Sequence, residues 1–403
     1  MFSNNNRIST RQVFRLFVFD FIGMSTLVLP AKLAGTSGCA GVFAIVAGGL
    51  FASLYLWYLA WIMNRMDSDL ITYVRQSLPR WGALVMLCFF AAYCILEASY
   101  GAYIFADVMR KGLVGGESYT LLLLLILAVA AYAIQSGIES RARVYESLFW
   151  VLFVPLFLLL WIAASDVNTI YLHSFFTTPV SEVAGGGLLV FEYLMPMFLV
   201  LFFPAYVKKD AQKKMVAAVY RALWVAVLVF IVFDLILLGS FGERAMAKMR
   251  YPALTLMSNI HLRGSFLKRL DAFLRTTELA GMNVTIPYKK AVIPFFTLFA
   301  FINVFLFYAK QLIAAIGGEF TGHGNAERQG DGLKMQKEKN AKVWSTIIAF
   351  LLVFVVAEGF CYGSFAEWFE GYMTYVAIPL LILLPLIIVV WGKYRKTGNR
   401  SLQ

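Results

Sequence analysis

The chain has 403 residues, of which 61% are hydrophobic and 14% charged, and its formal net charge is +12. A soluble domain is roughly half apolar and about a quarter charged, so this composition excludes an ordinary water-soluble globule. The positive charge alone would suit nucleic acid, but it gathers at the ends of apolar runs, which points to a lipid bilayer and to no nucleic-acid partner.

In chain order, the apolar runs fall at 13–34, 39–63, 81–109, 119–135, 145–165, 187–206, 215–240, 288–316, 343–362 and 371–391. Runs of about 18 or more apolar residues match the thickness of a bilayer core. The expected fold is therefore an all-α integral membrane domain over 1–403 with about ten transmembrane helices. The first run is too long for a signal-peptide core and no small-residue cleavage site follows it, so it reads as a retained span. The cysteines Cys39, Cys88, Cys94 and Cys361 show no C-x-x-C spacing and read as free buried thiols.

Alternating spans divide the basic residues unequally. The N-terminus, 64–80, 136–144, 207–221, 318–342 and the tail hold 22 Lys and Arg, against nine on the opposite side. The positive-inside rule then predicts that both termini are cytoplasmic. The polar stretch 241–287 is expected to be extracellular, with one or two short helices lying on the membrane surface. Within it the eighth span could start as early as Arg269. The Gly-rich, charged segment 318–341 reads as a mobile cytoplasmic loop. Tyr55, Trp57, Tyr58 and Trp61 read as an interfacial aromatic belt.

Two spans differ from the rest. The first carries Asp20 between aromatics, then Gly23-Met24-Ser25-Thr26, then Pro30. The sixth carries Glu192 between Phe191 and Tyr193, then Met195-Pro196, then Pro204. Pro removes a backbone hydrogen bond, and Gly followed by Ser and Thr weakens a helix further. Interrupted helices in matching positions of two inverted repeats point to a transporter-type binding site. The expected arrangement is a LeuT-like five-plus-five repeat, about 13–165 and 187–391, with helices 1 and 6 broken. Freed N–H groups around Gly23 to Thr26 would favour a carboxylate, and nearby acids an ammonium, so a small zwitterion would suit both. The competing reading is that Gly and Pro serve close packing or a kink alone.

An intramembrane charge costs roughly 2.5–3.5 kcal/mol on insertion scales, so each needs a partner, a cavity or a proton. Asp20, Glu97 and Asp234 lie well inside spans, and Tyr93, Glu97 and Tyr100 share one helix face. Asp20 and Glu97 are candidates for proton or ion coupling, Glu97 alternatively for a structural hydrogen bond. Asp234 reads as structural, and Asn303 and Tyr308 in span eight are weaker candidates. His173, His261 and His323 fall in predicted loops, and there is no H-E-x-x-H, P-loop or partnered G-x-S-x-G. Neither an enzyme nor a cofactor or metal site is expected.

Three stretches carry a family resemblance. Ile22-Gly23 with Leu27, Leu29 and Pro30 resembles the first helix of the spore-germination permeases, the B subunits of endospore germinant receptors. Tyr251-Pro252-Ala253-Leu254-Thr255-Leu256, followed by Phe266 to Leu274, is similar to that family's extracellular stretch, and Phe202 to Lys209 to the end of its sixth helix. The resemblance implies the amino acid–polyamine–organocation superfamily and sensing of a small germinant, often an amino acid, beside A and C subunits in the inner membrane of the spore. It implies a pocket lined by Gly23, Met24, Ser25 and Thr26, by span three near Glu97, and by Glu192 to Pro196. The sequence departs from the family at 275–290, which is longer and more polar, and at Phe198 to Phe203, which lacks an acid before the Pro. An autonomous H⁺- or Na⁺-coupled amino acid transporter of the same fold, and a membrane scaffold, are the competing readings. Phe149 to Ala164 contains no cation, against the Lys that many proton-coupled relatives place there.

Overall fold

The computed structural model describes residues 7–66, 68–112, 118–165, 167–172, 178–207, 211–259, 276–279, 282–285, 288–320 and 331–400. Ser9 opens the first helix, α1 (Thr10–Ser37), through a reciprocal capping box in which the Gln12 N–H donates to Ser9 and the Ser9 N–H to the Gln12 side chain. There follow α2 (Gly41–Met63), a short α3 (Leu70–Ser77), α4 (Arg80–Gly112), α5 (Tyr119–Ala133) and α6 (Gly137–Ala164). The second half holds α7 (Val180–Tyr193), a 3₁₀ segment (Met195–Ala205), α8 (Gln212–Phe241), α9 (Glu243–Lys248) and α10 (Pro252–Asn259). An antiparallel hairpin, β1 (Thr276–Leu279) and β2 (Met282–Thr285), precedes α11 (Tyr288–Phe320), α12 (Asp331–Gly359), α13 (Gly363–Tyr372), a π turn (Met373–Ala377) and α14 (Ile378–Arg400).

Among the described residues eight helical runs are long and apolar enough to cross a membrane, and Thr10–Met63 and Tyr119–Ala164 each hold two helices divided by a 3₁₀ turn. The ten expected crossings are therefore present. At both divisions a glycine takes a positive φ, +52° at Gly38 and +79° at Gly137, which side chains with a Cβ rarely adopt.

α1 is wedged among α6, α7, α8 and α11, while α4 lies along α11 and α2 along α7. Lipid tails give no hydrophobic drive between helices, so small residues set the close approaches. A Cβ on Gly48 would stand 2.7 Å from the Gly187 carbonyl, which fixes α2 against α7. Proline adds a second device. Pro385 has no N–H, so the Leu381 carbonyl one turn earlier loses its helical donor, and the Tyr55 hydroxyl supplies one at 3.0 Å. Tyr58 donates to the neighbouring Ile382 carbonyl at 2.6 Å. Tyr55 and Tyr58 thus bind α2 to α14, whereas Trp57 is exposed.

Other expectations change as well. The basic turn placed at 136–144 is the first turns of α6, and α12 begins inside the segment read as a mobile loop, leaving 321–330 outside the described residues. The eighth span starts at Tyr288, because the polar stretch before it forms the hairpin; Arg269, Lys208, Lys209, the Phe266–Leu274 segment and the three histidines lie outside the described residues. Cys39 and Cys94 are buried free thiols, but Cys88 and Cys361 are exposed.

Candidate functional site

Span six breaks where its sequence says it should. α7 ends at Tyr193, directly after Glu192, and the eleven residues from Met195 to Ala205 continue as 3₁₀ helix with Pro196 and Pro204 inside the run. Runs of 3₁₀ beyond about four residues are uncommon and mark hinges. Span one behaves differently. α1 continues unbroken from Thr10 to Ser37, and the Ser25 and Thr26 hydroxyls donate to the Phe21 and Ile22 carbonyls of the preceding turn at 2.7 and 3.2 Å. The expected free N–H groups at Gly23 to Thr26 are therefore engaged in the helix. Gly23 serves a different need: a Cβ there would stand 2.7 Å from the Thr297 carbonyl and 3.1 Å from Phe301 Cβ, so its bareness lets α1 close on α11.

Two connected spaces lie beside this break. A vestibule of about 680 Å³ opens between α1, α4, α7, α13 and the α9–α10 segment. Below it a cavity of about 20 Å³ is lined by Met24, Glu97, Tyr100, Glu192, Tyr193 and Pro196, joined by Phe301 of α11 and Phe369 of α13. That volume holds about one water. Lys32, Tyr100, Glu192 and Glu370 line both spaces. Across the boundary Lys32 Nζ lies 2.6 Å from Glu370 Oε1 and 5.7 Å from the centre of the Tyr193 ring. Thr374, in the π turn, donates to Glu192 Oε2 at 3.0 Å, and π turns inside helices recur at functional sites.

Six of the expected site residues thus come together. The others take separate places. Ser25 and Thr26 line a different space of about 10 Å³, facing Asp234 on α8. Asp234 fills the gap left by the missing side chain of Gly41, as a structural residue would. Tyr93 packs its ring edge-on to Phe198 and Phe305. Met195 and Asn303 are buried and line neither the vestibule nor the cavity below it. Asp20 lies on the far side of Gly23 from Lys32, 2.6 Å from Arg141 of α6, with both side chains almost fully buried.

Sequence reasoning missed Arg141, counted only among the basic residues of 136–144, and gave no site role to Lys32 or Glu370. The signal was there for Lys32, a single cation directly after Leu29-Pro30-Ala31. For the other two the partner is distant in sequence. The vestibule wall carries a further polar group around Asp107 of α4, which accepts from Tyr251 at 2.8 Å and pairs with Arg250 at 3.3 Å and Lys111 at 3.0 Å. Burial, with the Asp107 carboxylate beside it, pushes the Tyr251 phenol up, which keeps it a donor. No His, Cys, Asp and Glu group able to hold a metal occurs among the described residues.

A family model described as "Spore germination protein" matches residues 7–316. The chain belongs to that family. It is 26% identical over 411 positions to spore germination protein KB of Bacillus subtilis (strain 168), covering 98% of each chain. It is 22% identical to spore germination protein B2 of the same organism over 288 residues, 70% of this chain and 76% of that one. Among solved structures, a Na⁺-coupled sialic acid symporter in a substrate-bound outward-open state aligns with a TM-score of 0.60 at 13% identity, covering 95% of this chain and 80% of that chain. The fold is thus LeuT-like, in a membrane-embedded family of permease or receptor type.

Proposed function

We propose that this chain is the membrane subunit of a spore germinant receptor that binds a small nutrient between α1, α4, the span-six break and α13, and signals by a change in helix packing. The observation that carries this reading is the open vestibule of about 680 Å³ above the small cavity lined by Glu97 and Glu192, with the Lys32–Glu370 pair at the boundary. A buried carboxylate in a bilayer needs a partner, and a nutrient with an ammonium group supplies one. The broken span six gives the bistable element that a ligand could bias. In this reading the nutrient is an amino acid or related amine, the vestibule opens outward, both termini are cytoplasmic, and A and C subunits read out the change in the spore inner membrane.

The experiment is germination of spores whose only copy of this gene carries Glu97→Gln or Glu192→Gln, with the protein quantified in the membrane. Loss of response to one nutrient at normal protein level is the expected result, and an unchanged response in both variants would remove the cavity from the pathway. A second reading, autonomous coupled uptake, draws on the buried Asp20–Arg141 pair further along α1. Uptake of a labelled amino acid by proteoliposomes holding this chain alone would favour it over sensing.

A further inference from the structure

A second charged space lies at the other end of α1 from the vestibule, where three membrane-spanning helices begin. A recess of about 560 Å³ is lined by Arg7 just before α1, by Glu139 and Arg143 of α6, and by Ala211 and Lys214 at the start of α8. Three cations thus meet one acid. Arg143 donates to Glu139 Oε1 at 2.6 Å and offsets it, which leaves Arg7 and Lys214 in no ion pair among the described residues. Neighbouring cations of α1 are engaged elsewhere, since Arg11 and Arg15 both pair with Glu146.

The helix ends add to this charge. α1 and α8 both begin at the recess, and neither has an acidic residue in its first turn. The Ala211 cap of α8 makes no side-chain hydrogen bond, so that end has no built-in acceptor of the kind Ser9 gives α1. Each N-terminus is equivalent to roughly half a positive charge, of the same sign as Arg7 and Lys214. The recess therefore attracts an anion.

Its position says which kind. The first turns of α1, α6 and α8 line it, and all three helices belong to membrane-crossing runs, so the recess lies at the level of the membrane face. Arg143 also heads a stripe along α6. Trp150, Val154, Phe157 and Trp161 follow it by 7, 11, 14 and 18 positions, which places them on one helix face, and all four are exposed. At the usual rise the stripe extends about 27 Å from Arg143, close to the roughly 30 Å of a bilayer core. A soluble phosphate would use the recess and leave the stripe, whereas a molecule with an anionic head and apolar tails fits both.

We infer that the recess holds the phosphate of an anionic phospholipid whose tails lie along the exposed face of α6. The headgroup joins the first turns of α1, α6 and α8, a role separate from nutrient binding and independent of it.

The test is native mass spectrometry of the full-length protein in detergent, titrated with phosphatidylglycerol, phosphatidylcholine or glycerol phosphate. One phosphatidylglycerol should bind at least about fivefold tighter than phosphatidylcholine, and equimolar glycerol phosphate should not displace it. Lys214→Gln should weaken phosphatidylglycerol about fivefold, and Arg7→Gln with Lys214→Gln about 10- to 25-fold, with phosphatidylcholine binding unchanged as the check on folding. Arg65→Gln, which removes a cation beyond α2 that does not line the recess, should change it less than twofold. Equal affinity for the two lipids would overturn the inference, as would an equal loss in Arg65→Gln, which would mark a diffuse surface attraction. Displacement by glycerol phosphate would make this a site for a free anion. Displacement by poly-glutamate, lost in Lys214→Gln, would assign it to an acidic protein segment instead.

Discussion

The ammonium of Lys32 and the carboxylate of Glu370 meet at 2.6 Å, tying α1 to α13 at the line where the vestibule ends and the small cavity begins. Twelve residues earlier on the same helix, about 18 Å at the usual rise, Asp20 meets Arg141 of α6. One helix thus carries an ion pair at each end of the proposed binding region, one half-exposed and one buried. The two differ in what they hold.

The Lys32–Glu370 pair is partly solvated, with side chains 24% and 47% exposed, and such pairs contribute about 0–1 kcal/mol. Glu370→Gln should therefore loosen the boundary without unfolding the protein. With Met24→Cys as reporter, and Cys88 and Cys361 replaced by Ser, the rate of modification by an impermeant thiol reagent added on the vestibule side should rise about two- to fivefold. An unchanged rate would mean that the pair does not restrict access.

The Asp20–Arg141 pair is almost fully buried, and removing one partner strands the other charge. Asp20→Asn should cost about 3–5 kcal/mol in detergent-solubilised thermal unfolding. The double variant Asp20→Leu with Arg141→Met should recover most of that loss, because an apolar pair leaves no stranded charge. Equal losses in single and double variants would show that something other than charge pairing is at stake.

Tyr55→Phe removes the hydroxyl that serves the Leu381 carbonyl, which Pro385 leaves without a helical donor. The expected cost is about 1–3 kcal/mol, and Tyr58→Phe should cost less because Leu386, unlike Pro385, retains a backbone N–H one turn beyond Ile382. Comparing the two melting curves checks the proline argument directly.

Gly23→Ala should lower stability and ligand response together, since its Cβ would press on the Thr297 carbonyl at 2.7 Å and force α1 from α11. Gly185→Ala, where a Cβ meets nothing within 4 Å, is the control and should change stability by no more than about 0.5 kcal/mol.

By itself the sequence determined the solvent and the layout. Apolar runs of bilayer length gave ten crossings, and the Pro196 and Pro204 pair located the break in span six, because a missing N–H is a local property of the chain. Glu97 and Tyr100 on one helix face, one turn apart, were likewise legible as cavity residues. Span one misled because Gly23, Ser25 and Thr26 weaken a helix only where nothing supports it. Here the close packing of α11 on Gly23 and the hydroxyl bonds to the helix's own carbonyls keep it whole. The partners of Asp20, Lys32 and the Leu381 carbonyl lie 121, 338 and 326 positions away along the chain. Those pairings belong to the tertiary structure alone, since a low-dielectric interior makes each buried charge or orphaned carbonyl find its partner in space and leaves no periodicity in sequence to announce it.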